Sequence, residues 1–220
     1  MEIKFKLTDA AQIEQIPHIR ELIVLCHTVN TMHVLRRQIL SIDENLETTV
    51  SKRDTIYSLV FHMSFLYEAM KNSASMLINL AEIIPREHHA DIAWLQEEVN
   101  RNPNSYYKKV LEPIRNELGF HFGRPLTRDT LTNSIPNMPP TLVEYHRDDA
   151  SDLVFVLPTD LIASYFGSLC NDCDDPKAKL ILIVKQAAEY FGRVMDILSN
   201  SIMYIVANMG DVFDEEQTAS

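Results

Sequence analysis

The sequence predicts a mainly α-helical, single-domain bundle of about five or six helices with a small β-hairpin insertion. Three observations predict this fold class. Apolar residues recur at helical spacing over most of the 220 residues. A hydrophobic content of 46% is enough for one sizeable core. The five glycines and ten prolines are too few for a turn-rich β protein or a disordered chain.

The first two predicted helices follow from long apolar stripes. One covers residues 10–42, with Pro17 near its start or at a kink. The other covers residues 52–84 and ends at Pro85, because proline cannot continue a helix.

Two shorter helices are predicted next. The third covers residues 87–101 and stops at an Asn-Pro pair, because the residue before a proline disfavours helical backbone. The fourth begins near Asn104 or Ser105, either of which is a good N-cap, and continues through Arg115.

The second half of the chain is predicted to hold the insertion and the last helices. Residues 124–140 are rich in turn formers and are predicted to be a loop, and a β-hairpin is predicted within 140–158. A short helix capped by Thr159 and a long helix over 176–209 follow. A single domain over 1–210 and an acidic flexible tail over 211–220 complete the predicted organisation.

The last long helix is apolar enough to raise the question of a membrane span. Charged residues nevertheless recur along it at steps of four, four and three residues, which places them in one stripe: Lys185, Glu189, Arg193 and Asp196. This pattern predicts an amphipathic core helix and no membrane partner.

Charge and cysteine content limit the function classes. Acidic residues outnumber basic ones by 31 to 20, and the net charge of −11 argues against a general polyanion-binding surface but leaves room for a local basic groove. The three cysteines, Cys26, Cys170 and Cys173, are too few for a disulfide framework. The amino-terminal residues have no signal or transit character, so a cytoplasmic protein is predicted.

The stretch PIRNELGFHFG, residues 113–123, carries the main functional signal. Arg115 and His121 would point in different directions on an uninterrupted helix. Gly119 is well suited to end the helix near Leu118, because glycine is favoured in the left-handed C′ position. His121 can then return toward Arg115 and its neighbour Asn116.

An arginine, a polar residue directly after it, and a histidine five residues further on resemble the signature of the HEPN superfamily. The phrase RNELGFHF looks similar to the variant in abortive-infection-type members. The resemblance implies a helical bundle that forms a homodimer with two facing motifs. It also implies a metal-independent endoribonuclease or RNA-binding protein of toxin or defence type, with an antitoxin protein as a partner and no cofactor. A second match, Arg20 and His27, lies within the apolar first helix and is set aside.

The resemblance implies that His121 acts as a general acid or base, that Arg115 binds the scissile phosphate, and that Asn116 orients the phosphate or the partner copy. The surrounding segment 106–128 carries a local charge of +3. Cations follow phosphates and aromatic rings stack on unpaired bases. The predicted RNA-binding residues are therefore the cations and aromatic residues of this segment: Tyr106, Tyr107, Lys108, Lys109, Phe120, Phe122, Arg124 and Arg128.

Other interpretations remain open. Arg115 can pair with a nearby glutamate in a non-catalytic helical module for dimerisation or partner binding, which the acidic net charge favours. A metal-dependent bundle hydrolase requires carboxylates and histidines that converge from several helices, which the spacing does not indicate. His88 and His89 are adjacent and point about 100° apart on a helix, so no metal site is predicted there. The CxxC of Cys170 and Cys173 is interpreted as a loop with two reduced thiols.

Overall fold

The computed structural model describes residues 2–7, 17–40, 49–119, 144–146, 152–154, 156–169, 176–208 and 213–218. Within these ranges the chain is mainly helical, and its helical residues fall into six stretches that share one hydrophobic core. The predicted mainly α bundle is therefore confirmed.

The first two helices form one side of the bundle. Helix α1 spans Ile19–Leu40 and follows a turn at Pro17, as the position of that proline predicts. Helix α2 spans Thr49–Asn79 and ends five residues before the predicted end. Turn hydrogen bonds replace the helix after Asn79, with the amide of Ile83 donating to the carbonyl of Leu80 at 3.0 Å.

The third stretch contains helix α3, His89–Gln96, between a 3₁₀ turn at Arg86–His88 and a π-helical turn at Glu97–Arg101. His89 supports the turn that follows α2, because its Nε2 lies 3.0 Å from the carbonyl oxygens of both Ala81 and Ile84.

The fourth stretch, called here segment 107–119, is not the regular α-helix that was predicted. It consists of π-helical Tyr107–Leu111, the short helix α4 at Glu112–Ile114, and π-helical Arg115–Gly119. Pro113 lies inside this segment and has no N–H to donate to the preceding turn, which accounts for the irregular hydrogen bonding around it. Ser105 caps its start, with Oγ 3.2 Å from the amide nitrogen of Lys108.

The last two helices close the bundle. Helix α5 spans Val156–Leu169 and so begins three residues before the predicted cap Thr159, and helix α6 spans Pro176–Asn208. Helix α6 packs along α1 with Phe191 and Leu198 fully buried. Among the described helices, none is both long and apolar enough to cross a membrane.

Four short strands accompany the helices within the described ranges. Strands β2, Glu144–His146, and β3, Asp152–Val154, pair antiparallel within the segment where the hairpin was predicted, but they are only three residues each. Strand β1, Glu2–Leu7, pairs antiparallel with β4, Phe213–Thr218. Strand β4 lies within residues 211–220, the segment predicted to be an acidic flexible tail.

Candidate functional site

Segment 107–119 lies against the middle of α2 and fixes the position of Arg115. Its buried side chains include Tyr107, Leu111 and Ile114, which recur at helical spacing and face the core. Arg115 follows the last of these at the edge of the core. The predicted catalytic residues Arg115 and Asn116 are within the described part of the chain, whereas His121 lies outside it.

Arg115 is held by two side chains and a ring. Its Nε donates to Oε1 of Glu68 at 2.7 Å, and its Nη1 donates to Oδ1 of Asn116 at 3.1 Å. The guanidinium carbon lies 5.6 Å from the ring centre of Tyr67. The side chains of Arg115 and Glu68 are 25% and 30% exposed. The structure thus holds a charged guanidinium in a fixed orientation that solvent still reaches.

A stacked pair of tyrosines forms the base of this site. The rings of Tyr67 and Tyr107 lie 4.6 Å apart at an angle of 11°. Tyr107 is only 2% exposed, so its ring offers no open face for the predicted stacking on RNA bases. Burial raises the pKa of Tyr107, and the neighbouring Tyr67 and carboxylates of Glu112 and Glu68 act in the same direction. Tyr107 is therefore a neutral core residue.

Three cations surround the tyrosine pair, and we call them the cationic cluster: Lys71, Lys108 and Arg115. Lys71 Nζ lies 6.0 Å from the ring centre of Tyr67, and Lys108 Nζ lies 5.4 Å from that of Tyr107. Lys108 also pairs with Glu112, at 3.2 Å from Nζ to Oε1. Sequence reasoning missed Lys71 and Glu68, because they lie more than thirty-five residues before the motif.

Of the remaining predicted RNA-binding residues, Tyr106 and Lys109 lie within the described part of the chain. Tyr106 does not present its ring as an open stacking surface, because it stacks on Tyr190 at a centroid distance of 4.5 Å. Lys109 is exposed, as its predicted role requires. The other predicted contacts, Phe120, Phe122, Arg124 and Arg128, lie outside the described residues, as do Cys170 and Cys173.

A second polar cluster lies at the start of segment 107–119. Glu98 is 8% exposed, and its Oε2 accepts a hydrogen bond from the Tyr190 hydroxyl at 3.2 Å. Arg193 approaches from α6, with its guanidinium carbon 3.7 Å from the ring centre of Trp94. Burial raises the pKa of Glu98 above the usual carboxyl range, although Tyr190, Arg193 and the amide of Tyr106 oppose this and Glu97 adds to it.

We expect Glu98 to make the free energy of unfolding fall as pH rises. Because the pKa of Glu98 is raised in the folded state, the folded chain keeps its proton at pH values where the unfolded chain has released it. The contribution of this protonated carboxyl to the free energy of unfolding is therefore lost as pH rises through the folded-state pKa. Thermal unfolding of Glu98→Gln and wild type from pH 4 to pH 8 tests this. The variant should be at least as stable as wild type at pH 7, and its advantage should shrink at pH 4. Glu189→Gln, an exposed control on α6, should follow wild type. A Glu98→Gln variant with unchanged pH dependence contradicts the expectation.

Three histidines of the bundle, His62, His88 and His89, have structural partners. His62 is buried, its Nε2 lies 3.2 Å from Gln38 Oε1, and burial lowers its pKa. The ring of His88 packs on Tyr204 at 4.0 Å, and His89 bonds to backbone carbonyls. Across the described ranges, no group of three or more histidine, cysteine, aspartate and glutamate side chains is arranged to hold a metal ion.

Comparison with known proteins found no matching family model, no matching curated protein and no matching solved structure.

Proposed function

We propose that this chain is a metal-independent endoribonuclease or RNA-binding protein that acts through Arg115, Asn116 and His121. The observation that supports this most is the anchoring of Arg115. One edge of its guanidinium is held by Glu68 at 2.7 Å on a neighbouring helix, while the side chain keeps a quarter of its surface exposed. An arginine fixed in this way is suited to binding a phosphate without losing much side-chain entropy.

The proposed reaction uses the 2′-hydroxyl of RNA as the nucleophile. His121 removes the hydroxyl proton or protonates the leaving 5′-oxygen, since its ordinary pKa lies near neutrality. The 2′-oxygen forms a bond to phosphorus as the bond from phosphorus to the 5′-oxygen breaks. Arg115 stabilises the negative charge that gathers on the phosphate oxygens. The products are a 2′,3′-cyclic phosphate and a 5′-hydroxyl end.

The resemblance to the HEPN superfamily extends this proposal to partners and location. On this basis we propose a homodimer in which two copies of the motif face one another. We also propose a toxin or defence role in the cytoplasm and an antitoxin protein that restrains the activity. Asn116, which accepts a hydrogen bond from Arg115 at 3.1 Å, would then orient the arginine as well as the phosphate.

The test is incubation of the purified chain with a mixed single-stranded RNA pool in EDTA. We expect cleavage products with 2′,3′-cyclic phosphate ends, because the 2′-hydroxyl attack needs no divalent ion. A pool of 2′-O-methyl RNA of the same sequences serves as the control and should stay intact. Absence of cleavage and of RNA binding would contradict the proposal.

A second candidate function is a non-catalytic module for dimerisation or partner binding. The observation that favours it is the pairing of the cations with carboxylates, since Glu68 meets Arg115 and Glu112 meets Lys108. Two exposed aromatic residues one turn apart on α2, Tyr57 and Phe61, would suit a protein partner. Analytical ultracentrifugation and the RNA assay, applied to wild type and Phe61→Ser, separate the candidates. A module of this kind loses self-association in Phe61→Ser, and neither protein binds or cleaves RNA.

A further inference from the structure

We propose that Lys71, which lies outside the Arg115–His121 motif, is a phosphate contact for the backbone of single-stranded RNA beside Arg115. This inference rests on the proposed function and assigns part of its substrate-binding surface. It is carried by the geometry of the cationic cluster.

Lys71 and Arg115 approach one ring from two different elements. Lys71 lies one helical turn after Tyr67 on α2, with Nζ 6.0 Å from the ring centre. Arg115 reaches the same ring from segment 107–119, with its guanidinium carbon at 5.6 Å. Because both cations lie near one ring, an RNA phosphate bound beside it would be attracted by Lys71 as well as by Arg115.

The charges of the cluster are unequally compensated. Glu68 pairs with Arg115 and Glu112 pairs with Lys108. Within the described part of the chain, no carboxylate lies within salt-bridge distance of Lys71, and the side chain is exposed. Lys71 therefore supplies the net positive charge of the cluster, so that it should contribute more to phosphate affinity than its paired neighbours.

The same geometry indicates how RNA would be recognised at this place. The rings of Tyr67 and Tyr107 are buried and stack on each other, so they offer no open face to a base. Contact must then be made with phosphates, which carry no base identity. Binding through the cluster is expected to depend strongly on salt and weakly on RNA sequence.

The experiment measures the affinity of a fluorescent 2′-O-methyl single-stranded oligonucleotide, which cannot be cleaved, at several salt concentrations. Lys71→Gln should weaken binding by about 3- to 10-fold and lower the slope of log affinity against log salt by about 0.7. The control Lys185→Gln removes one exposed lysine charge on α6 and should stay within about twofold of wild type. A uridine oligonucleotide and a mixed-sequence oligonucleotide should show the same loss.

Each outcome bears on the inference. Equal losses for Lys71→Gln and Lys185→Gln would mean a general charge effect and would overturn the assignment of Lys71. Normal RNA binding by Lys71→Gln overturns it as well, while cleavage by wild type leaves the proposed function in place. No binding and no cleavage by wild type overturns both. The melting temperature of Lys71→Gln should equal that of wild type, whereas a structural role for Lys71 would lower it.

Discussion

Replacing Arg115 with alanine is expected to slow RNA cleavage by about 10²- to 10³-fold, the range seen when one preorganised donor to a developing negative charge is removed. The physical reason is that Arg115 is already oriented by Glu68 and Asn116 before RNA binds. Its charge can therefore act on the phosphate without reorganisation. Single-turnover cleavage of a defined RNA in EDTA measures the change in the chemical step.

Glu68 provides the matched test of this orientation. Glu68→Gln keeps a hydrogen-bond acceptor for Arg115 and should reduce cleavage less than Glu68→Ala does. If Glu68 acts only through Arg115, the double variant Arg115→Ala with Glu68→Ala should be no slower than Arg115→Ala alone. Cleavage that survives Arg115→Ala, or losses that multiply in the double variant, would contradict this assignment.

The local pattern of the sequence predicted the helices well and their ends less well. The apolar stripe of α2 is visible in the sequence, and Leu59, Met63, Met70 and Leu77 are fully buried. Its end at Asn79 was missed because the apolar spacing continues through Ile84, which is buried in a turn. Apolar spacing reports burial, and a turn can bury a residue as well as a helix can.

The pairing of β1 with β4 was missed for another reason. The residues of β1, EIKFKL, alternate between charged and apolar, which is a strand pattern. Its partner lies at the other end of the chain, so that only the fold brings the two together. The backbone register then pairs Lys4 with Glu216 and Lys6 with Asp214.

The residues of the candidate site were likewise predictable only where the signal is local in the sequence. Arg115 and Asn116 were found because the motif is local. Tyr107 was assigned to RNA because composition does not report which way a side chain faces. Its spacing from Leu111 and Ile114 was the available signal for burial. Glu68 and Lys71 belong to the site only through the packing of α2 against segment 107–119, and no local pattern reveals that contact.

The largest expected loss of stability comes from Phe191→Ala, at about 3–5 kcal/mol in the free energy of unfolding. Phe191 is fully buried on α6, the helix that packs along α1, so its removal loses apolar contacts and leaves a cavity that rigid helices fill poorly. For a chain of this size the melting temperature should fall by about 6–20 °C. Chemical and thermal denaturation measure the change, with Phe191→Leu as a milder variant should the alanine variant fail to fold.

Phe61→Ala makes the same chemical change at a side chain that is 53% exposed, and it should cost less than about 1 kcal/mol. Equal losses for Phe191→Ala and Phe61→Ala would contradict the packing of α6 against α1, and with it the core that supports segment 107–119.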